Sequence, residues 1–246
     1  KTTMDIYSRI INKSKTGQKQ LAVLVDPDQH EASDFAALAK ELSAYPVDYF
    51  FIGGSLLSKD LLDACLQAFK NETDIPLIIF PGGIMQVNGK ADALLFLSLI
   101  SGRNAELLIG KHVESVPYIL DAGLETISTG YMLIDGGNIT TAQYISNTFP
   151  IPSDKPEIAA LTAKAGEMLG MKMIYLDAGS GAKNSIPPAM IQAVRKIVNL
   201  PVIVGGGIRS ARDAQEKLDA GADIIVVGNV LEKHPELLAE IVLVLK

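Results

Sequence analysis

Eight times along the chain an apolar run rich in β-branched residues breaks off at glycine or at a proline-bounded carboxylate, and most breaks lead into residues of helical period. The runs cover 21–25, 49–52, 77–80, 93–99, 126–128, 173–177, 202–204 and 224–227. Continuous rather than alternating apolar runs predict strands buried on both faces, as in a parallel sheet covered by helices. Between them lie stripes of helical spacing: Phe35, Leu38, Ala39 and Leu42; Ile158, Leu161, Ala165, Met168 and Leu169; Ile191, Val194, Ile197 and Val198; Leu237, Leu238, Ile241, Val242 and Leu245. Each stripe is expected to face the core. Ser210 and Asp213 form a capping-box pattern at the start of a helix over 211–220. Eight strands alternating with helices predict a (β/α)8 TIM barrel, one domain over 1–246.

Two connections break the alternation. Between Phe80 and Ala93 stand Gly82, Gly83, Asn88 and Gly89, too short and too broken for a crossover helix. A loop is therefore expected in place of the third helix. The stretch 134–156 is long and contains Gly136, Gly137, Pro150 and Pro152, which predicts a loop of the kind that often serves as a lid.

Composition narrows the function classes. With 48% hydrophobic and 20% charged residues, the chain is neither disordered nor fibrous. A net charge of -6 without a basic stripe argues against a nucleic-acid partner. The single cysteine, Cys65, falls in an apolar helical pattern with Leu61, Leu62, Leu66 and Phe69, so it reads as core and excludes an intrachain disulfide framework or a CxxC metal site. The longest apolar run, 93–100, is too short to span a bilayer, and no signal-peptide pattern opens the sequence. No stable membrane insertion and a cytoplasmic location are expected.

The candidate chemistry gathers at the C-terminal strand ends, where TIM barrels carry their sites. Strands seven and eight run into Gly205-Gly206-Gly207-Ile208-Arg209 and Gly228-Asn229, with 229–233 able to form a short extra helix. Backbone N–H groups in such loops can cradle a phosphate; the plainer alternative is tight turns. Asp26-Pro27-Asp28 ends the first strand. Its carboxylates suit Mg²⁺, with Ser55 after the second strand beside it, or they cap the next helix; metal is favoured for Asp26 and capping or water contact for Asp28. Alternation in the sixth strand puts Tyr175 and Asp177 on one face, where Asp177 can accept from a substrate hydroxyl, take its proton, or pair with an Arg or Lys. His30, His112 and His234 are scattered and read as surface residues, so histidine catalysis has little support.

Taken together, Asp26-Pro27-Asp28, the run from Phe51 to Ser55, the run from Tyr175 to Gly181, Gly205 to Arg209 and Gly228-Asn229 resemble the geranylgeranylglyceryl and heptaprenylglyceryl phosphate synthase family, in order and spacing over nearly the whole chain. The resemblance implies a modified TIM barrel without its third helix. It implies a prenyltransferase that joins the 3-hydroxyl of sn-glycerol 1-phosphate to a polyprenyl diphosphate, releasing diphosphate and forming an ether lipid precursor. Carried onto this chain, Asp26 and Ser55 match the Mg²⁺ positions. Tyr175, Leu176, Asp177, Ala178, Gly179, Ser180, Gly181, Gly206, Gly207, Gly228 and Asn229 match the glycerol-phosphate positions, with Asp177 and Asp26 catalytic. A homo-oligomer, dimer or hexamer, is implied by analogy. Two positions depart from the pattern: Asp177 stands where the family commonly has Glu, and Leu24 where the heptaprenyl branch usually has Lys. The second departure favours geranylgeranyl diphosphate as the prenyl donor. The competing readings are another prenyl length, a phosphate-binding isomerase or lyase barrel, and a non-enzymatic barrel that binds a phosphometabolite.

Overall fold

Strands that are apolar on both faces need cover on both, and a sheet closed on itself supplies one cover from within. The computed structural model, which describes residues 5–228, 230–234 and 236–245, takes that solution. Eight strands pair in sequence order, all parallel, and β8 returns to β1. They are β1 (Gln20–Val25), β2 (Tyr49–Ile52), β3 (Leu77–Ile79), β4 (Ala93–Leu99), β5 (Glu125–Leu133), β6 (Met173–Asp177), β7 (Val202–Gly205) and β8 (Ile224–Val227). Alternate residues divide between two cores. Ala22, Phe51, Ile78, Leu95, Ile127, Tyr175, Ile203 and Val226 fill the barrel; Val23, Phe50, Ile79, Leu94, Leu176, Val204 and Ile225 pack outward under the helices.

The helices are α1 (Ile6–Lys15), α2 (Phe35–Ser43), α3 (Leu62–Glu72), α4 (Lys111–Ala122), α5 (Thr141–Ser146), α6 (Pro156–Met168), α7 (Pro188–Ile197), α8 (Ala211–Asp219), α9 (Val230–Lys233) and α10 (Glu236–Leu243). Helix α1 sits at the N-terminal end of the barrel: its first amides, Ile6 and Tyr7, donate to the Glu125 carboxylate at 2.7 and 2.8 Å. The short α9 stands after β8, where a helix was expected. Between β3 and β4 there is only one 3₁₀ turn, Ile84–Gln86, as the spacing of Phe80 and Ala93 predicts.

Four expectations need correction. Strand β5 runs on through Gly130 to Leu133 instead of ending at Ser128. Gly130 is no terminator: a Cβ there would lie 2.8 Å from Ile100 Cδ1 and Met171 Sδ, so the missing side chain makes room for neighbours. The 134–156 connection is not all loop, because Thr140 caps α5 and Ile134 bridges to Ile151. Helix α6 reverses its expected face. Ala159, Ala160, Ala163 and Gly166 are buried, whereas Ile158, Leu161, Met168 and Leu169 are exposed. Small residues let α6 lie close to the sheet and α7, and that approach turns its bulky stripe outward. Finally, His112 is buried, its ring edge-on to Phe96 at 4.5 Å and its Nε2 3.1 Å from Ser98 Oγ.

Candidate active site

Because every strand is parallel, Asp26 and the glycine loops of β6, β7 and β8 share one rim. Register brings the last two elements of the proposed cradle together: Asp177 is paired with Gly205, and Gly205 with Val226. Gly206 and Gly207 have φ of +80° and +72°, a left-handed conformation that side chains seldom adopt. A Cβ on Gly206 would lie 2.7 Å from both Asp177 Oδ1 and Gly179 N, and one on Gly207 2.8 Å from Asn184 O. The β7 loop therefore fits against the β6 loop only as glycine. Among the described residues the backbone N–H groups of Ser180, Gly181, Gly206 and Gly207 have no protein acceptor. Unpartnered amides on two adjoining loops are the material from which an anion site is built.

Side chains outside the glycine runs hold these loops in place. The Arg209 guanidinium donates to Ala182 O at 2.7 Å and Lys183 O at 3.2 Å. Ser185 Oγ donates to Asp213 Oδ1 at 2.9 Å, and the buried Lys217 ammonium lies 2.6 Å from the same oxygen. Ser210 Oγ accepts from Asp213 N, which is the N-terminal half of the expected capping box. The Asp213 carboxylate turns to Ser185 and Lys217, and so ties α8 to the β6 loop.

Asp177 closes the barrel side of this cradle. It is buried; its Oδ2 accepts from Tyr131 Oη at 2.6 Å and its Oδ1 from Gly179 N at 2.7 Å. Burial pushes its carboxyl above the ordinary range, against the pull of both donors. No Lys or Arg pairs with it among the described residues, so the structural ion-pair alternative does not hold. Tyr175 stands one step below, its phenol pushed well up by burial and by the Asp177 charge. The Leu176 side chain is fully buried in the outer core, facing away from the mouth, because alternation turns it opposite to Tyr175 and Asp177, so only its backbone is on offer to a ligand. Ala178 is buried and donates its N–H to Gly205 O, while Ser180 and Gly181 are exposed at the rim. Gly228 faces Leu24, where a Cβ would approach Leu24 Cβ to 3.2 Å. Asn229 lies outside the described residues.

Across the rim the capping expected of Asp28 falls to Asp26. Asp26 Oδ1 accepts from Asp28 N at 3.0 Å and caps the 3₁₀ turn Pro27–Gln29. Asp28 instead holds the β2 loop, accepting from Ser58 N, Ser58 Oγ and Lys59 N. Capping does not exhaust Asp26. Burial, with the Asp28 charge adding, pushes its carboxyl up against the Asp28 amide, the Gln29 side chain and the nearby His30, and no Lys or Arg pairs with it among the described residues. Gly54 leaves it space, since a Cβ there would come within 3.1 Å of Oδ2. Ser55 follows Gly54, in a loop clasped by the buried Gln86, whose Nε2 donates to Gly54 O at 2.8 Å. A desolvated carboxylate without a cation fits a divalent ion. No group of three or more His, Cys, Asp or Glu gathers among the described residues; Mg²⁺ is commonly held by one or two carboxylates together with waters and substrate phosphates.

Tyr131, Gln86, Asp213 and Lys217 were not foreseen as parts of the site. Alternation carried past Gly130 would have placed Tyr131 inward, on the face of Ile127. The other three reach the site only through folding: the capping-box pattern marks Asp213 as a helix start and not as a site residue, and no local pattern marks Gln86 or Lys217.

A sequence model of the PcrB family matches residues 14–245. A protein of Chitinophaga pinensis described as geranylgeranylglyceryl phosphate synthase is 56% identical over 235 residues, covering 96% of this chain and 93% of its own length. One of the same description from Methanosphaera stadtmanae is 41% identical, covering 91% of each. The solved structure of (S)-3-O-geranylgeranylglyceryl phosphate synthase from Thermoplasma acidophilum, in complex with sn-glycerol-1-phosphate, matches with a TM-score of 0.92 at 30% identity over 99% of both chains. Tryptophan synthase of Mycobacterium tuberculosis matches at 0.57 and 14%, which is a likeness of fold alone. No helix among the described residues is long and apolar enough to cross a membrane. Matched over nearly its full length by model, relatives and structure, the chain belongs to the PcrB family.

Proposed function

We propose that the chain is a prenyltransferase that joins the 3-hydroxyl of sn-glycerol 1-phosphate to geranylgeranyl diphosphate. The observation that carries this reading is the shared rim: unpartnered amides at Ser180, Gly181, Gly206 and Gly207 on one side, and the unpaired Asp26 carboxylate on the other. The first arrangement holds a phosphate monoester without needing a cation. The second needs one, and a diphosphate with Mg²⁺ supplies it.

The cradle fixes the phosphate, and the glycerol hydroxyl then lies toward Asp177. The hydroxyl oxygen forms a bond to the allylic carbon as that carbon's bond to the diphosphate oxygen breaks. The electron pair leaves with diphosphate, and the hydroxyl proton passes to Asp177. Held by Asp26 with Ser55 beside it, Mg²⁺ would supply charge neutralisation for the leaving group. The isoprenoid tail is assigned to the apolar rim beside Phe80, where Leu56 and Met85 are exposed next to the helix-free β3–β4 connection. Leu24, pointing into the barrel core, puts no cation beside Asp26, in keeping with the geranylgeranyl donor.

Self-association belongs to the same reading. Ile109, Val113, Val116 and Leu120 form one exposed stripe, and Leu161, Met168 and Leu169 line the outer face of α6. Such faces are commonly covered by another copy. Light scattering is expected to give a mass above that of one chain; a monomer at micromolar concentration would refute it.

The decisive assay combines purified protein, Mg²⁺, sn-glycerol 1-phosphate and prenyl diphosphates of graded length, with ether product followed by mass spectrometry and a parallel arm in chelator. Ether formation that chelator abolishes is expected. No ether from any donor overturns the function, and undiminished turnover in chelator overturns the metal.

A further inference from the structure

Tyr131 does more than fill the barrel. Its ring stands edge-on to Phe80 at 5.9 Å and to Tyr175 at 5.5 Å, and those two rings stack on each other at 5.4 Å, so the three form one aromatic cluster. Packed against that pair and buried, the phenol donates to the Asp177 oxygen at 2.6 Å. The opposite oxygen is fixed by the Gly179 amide at 2.7 Å. One donor on each oxygen fixes the carboxylate plane. Each oxygen keeps a further lone pair, and those remain for a substrate hydroxyl.

The surroundings make this donor consequential. The titratable groups facing Asp177 are Tyr131 from β5 and Tyr175 from its own strand; β7 presents only Gly205, Gly206 and Gly207. No cation stands by to hold the carboxylate ionised. In a buried site without one, hydrogen bonds to the charged form decide whether it stays charged.

We propose that Tyr131 is a positioning residue for the reaction, holding Asp177 ionised and oriented as the acceptor of the glycerol hydroxyl proton. The proposal rests on the proton-acceptor role given to Asp177 above. Removing the phenol leaves Oδ2 facing an aromatic wall, where a proton is the cheapest partner. A protonated Asp177 can no longer accept one from substrate. Activity that depends on ionised Asp177 is lost as pH falls through its titration, so raising that titration moves the acid limb of the rate profile upward.

The test compares wild type with Tyr131→Phe, reading kcat/KM for glycerol 1-phosphate against pH and the Asp177 carboxyl titration by ¹³C NMR. Both are expected to move up by about one pH unit, the size of one charge-assisted hydrogen bond. At a fixed pH on the acid limb kcat/KM should fall by about tenfold, and above it the loss should vanish, with KM for the prenyl diphosphate unchanged within about twofold. An acid limb and a carboxyl titration that both stay in place overturn the proposal, as does a rate loss uniform across pH. Should Tyr131→Phe not fold, 3-fluorotyrosine at position 131 keeps the ring and strengthens the donor; both readings should then move down, and no movement overturns the proposal equally. A wild type that makes no ether defeats the functional reading instead, and the NMR titration still decides whether Tyr131 governs Asp177.

Discussion

The two sides of the mouth are built from different materials. The cradle side, β6 to β8, presents backbone: glycines in left-handed conformations, interlocked so that Gly206 has no room for a methyl group. The opposite side presents one side chain, Asp26, which caps the turn after β1 beside a β2 loop held by Asp28 and Gln86. Where backbone binds, the binding site and the fold are the same object, and a substitution damages both. Where a carboxylate binds, chemistry can be removed with the fold left standing.

That contrast is breakable at its strongest point. Gly206→Ala forces φ +80° on an L-residue and drives a Cβ into Asp177 Oδ1 and Gly179 N. A loss on the order of 3 kcal/mol in denaturant unfolding is expected, together with loss of glycerol-phosphate binding. If calorimetry shows normal binding in a variant of normal stability, the interlock has no energetic content.

Asp26→Asn should do the opposite, lowering turnover by about a hundredfold or more with no loss of melting temperature. The sign follows from its titration. Burial raises the Asp26 carboxyl in the folded state, so its contribution to stability is fully present below the unfolded carboxylate range and declines as pH rises through the folded value. Asparagine removes a desolvated charge while its Oδ1 can still cap the Asp28 amide. A marked drop in melting temperature at neutral pH would show that the carboxylate is structural after all.

The smallest effect sharpens the comparison within the cradle side. Ser185→Ala removes one hydrogen bond to Asp213, worth about 1 kcal/mol, and loosens the tie between the β6 loop and α8. KM for glycerol 1-phosphate should rise a few-fold while kcat holds. An unmoved KM would mean that Arg209 alone keeps the two loops together.

What could be read ahead of folding was whatever rests on local periodicity. Strand positions, the missing third helix between Phe80 and Ala93, the glycine loops and the shared rim all follow from runs and breakers. The errors came where a residue answers to a distant neighbour. Gly130 punctuates nothing; it yields space to Ile100 and Met171. Helix α6 buries alanine and glycine because of how near the sheet lies, and helical period alone does not rank its two faces.

By itself, then, the order of residues determined the barrel, its single functional rim and the residue types standing there, because alternation of strand and helix and the reach of glycine backbone are local properties. Only the tertiary structure decided that Asp28 holds the β2 loop while Asp26 caps its own turn, and that Tyr131 and Gly179 hold Asp177. The physical reason is that charge state and orientation depend on burial and on donors brought from other strands, and burial exists only once the barrel has closed.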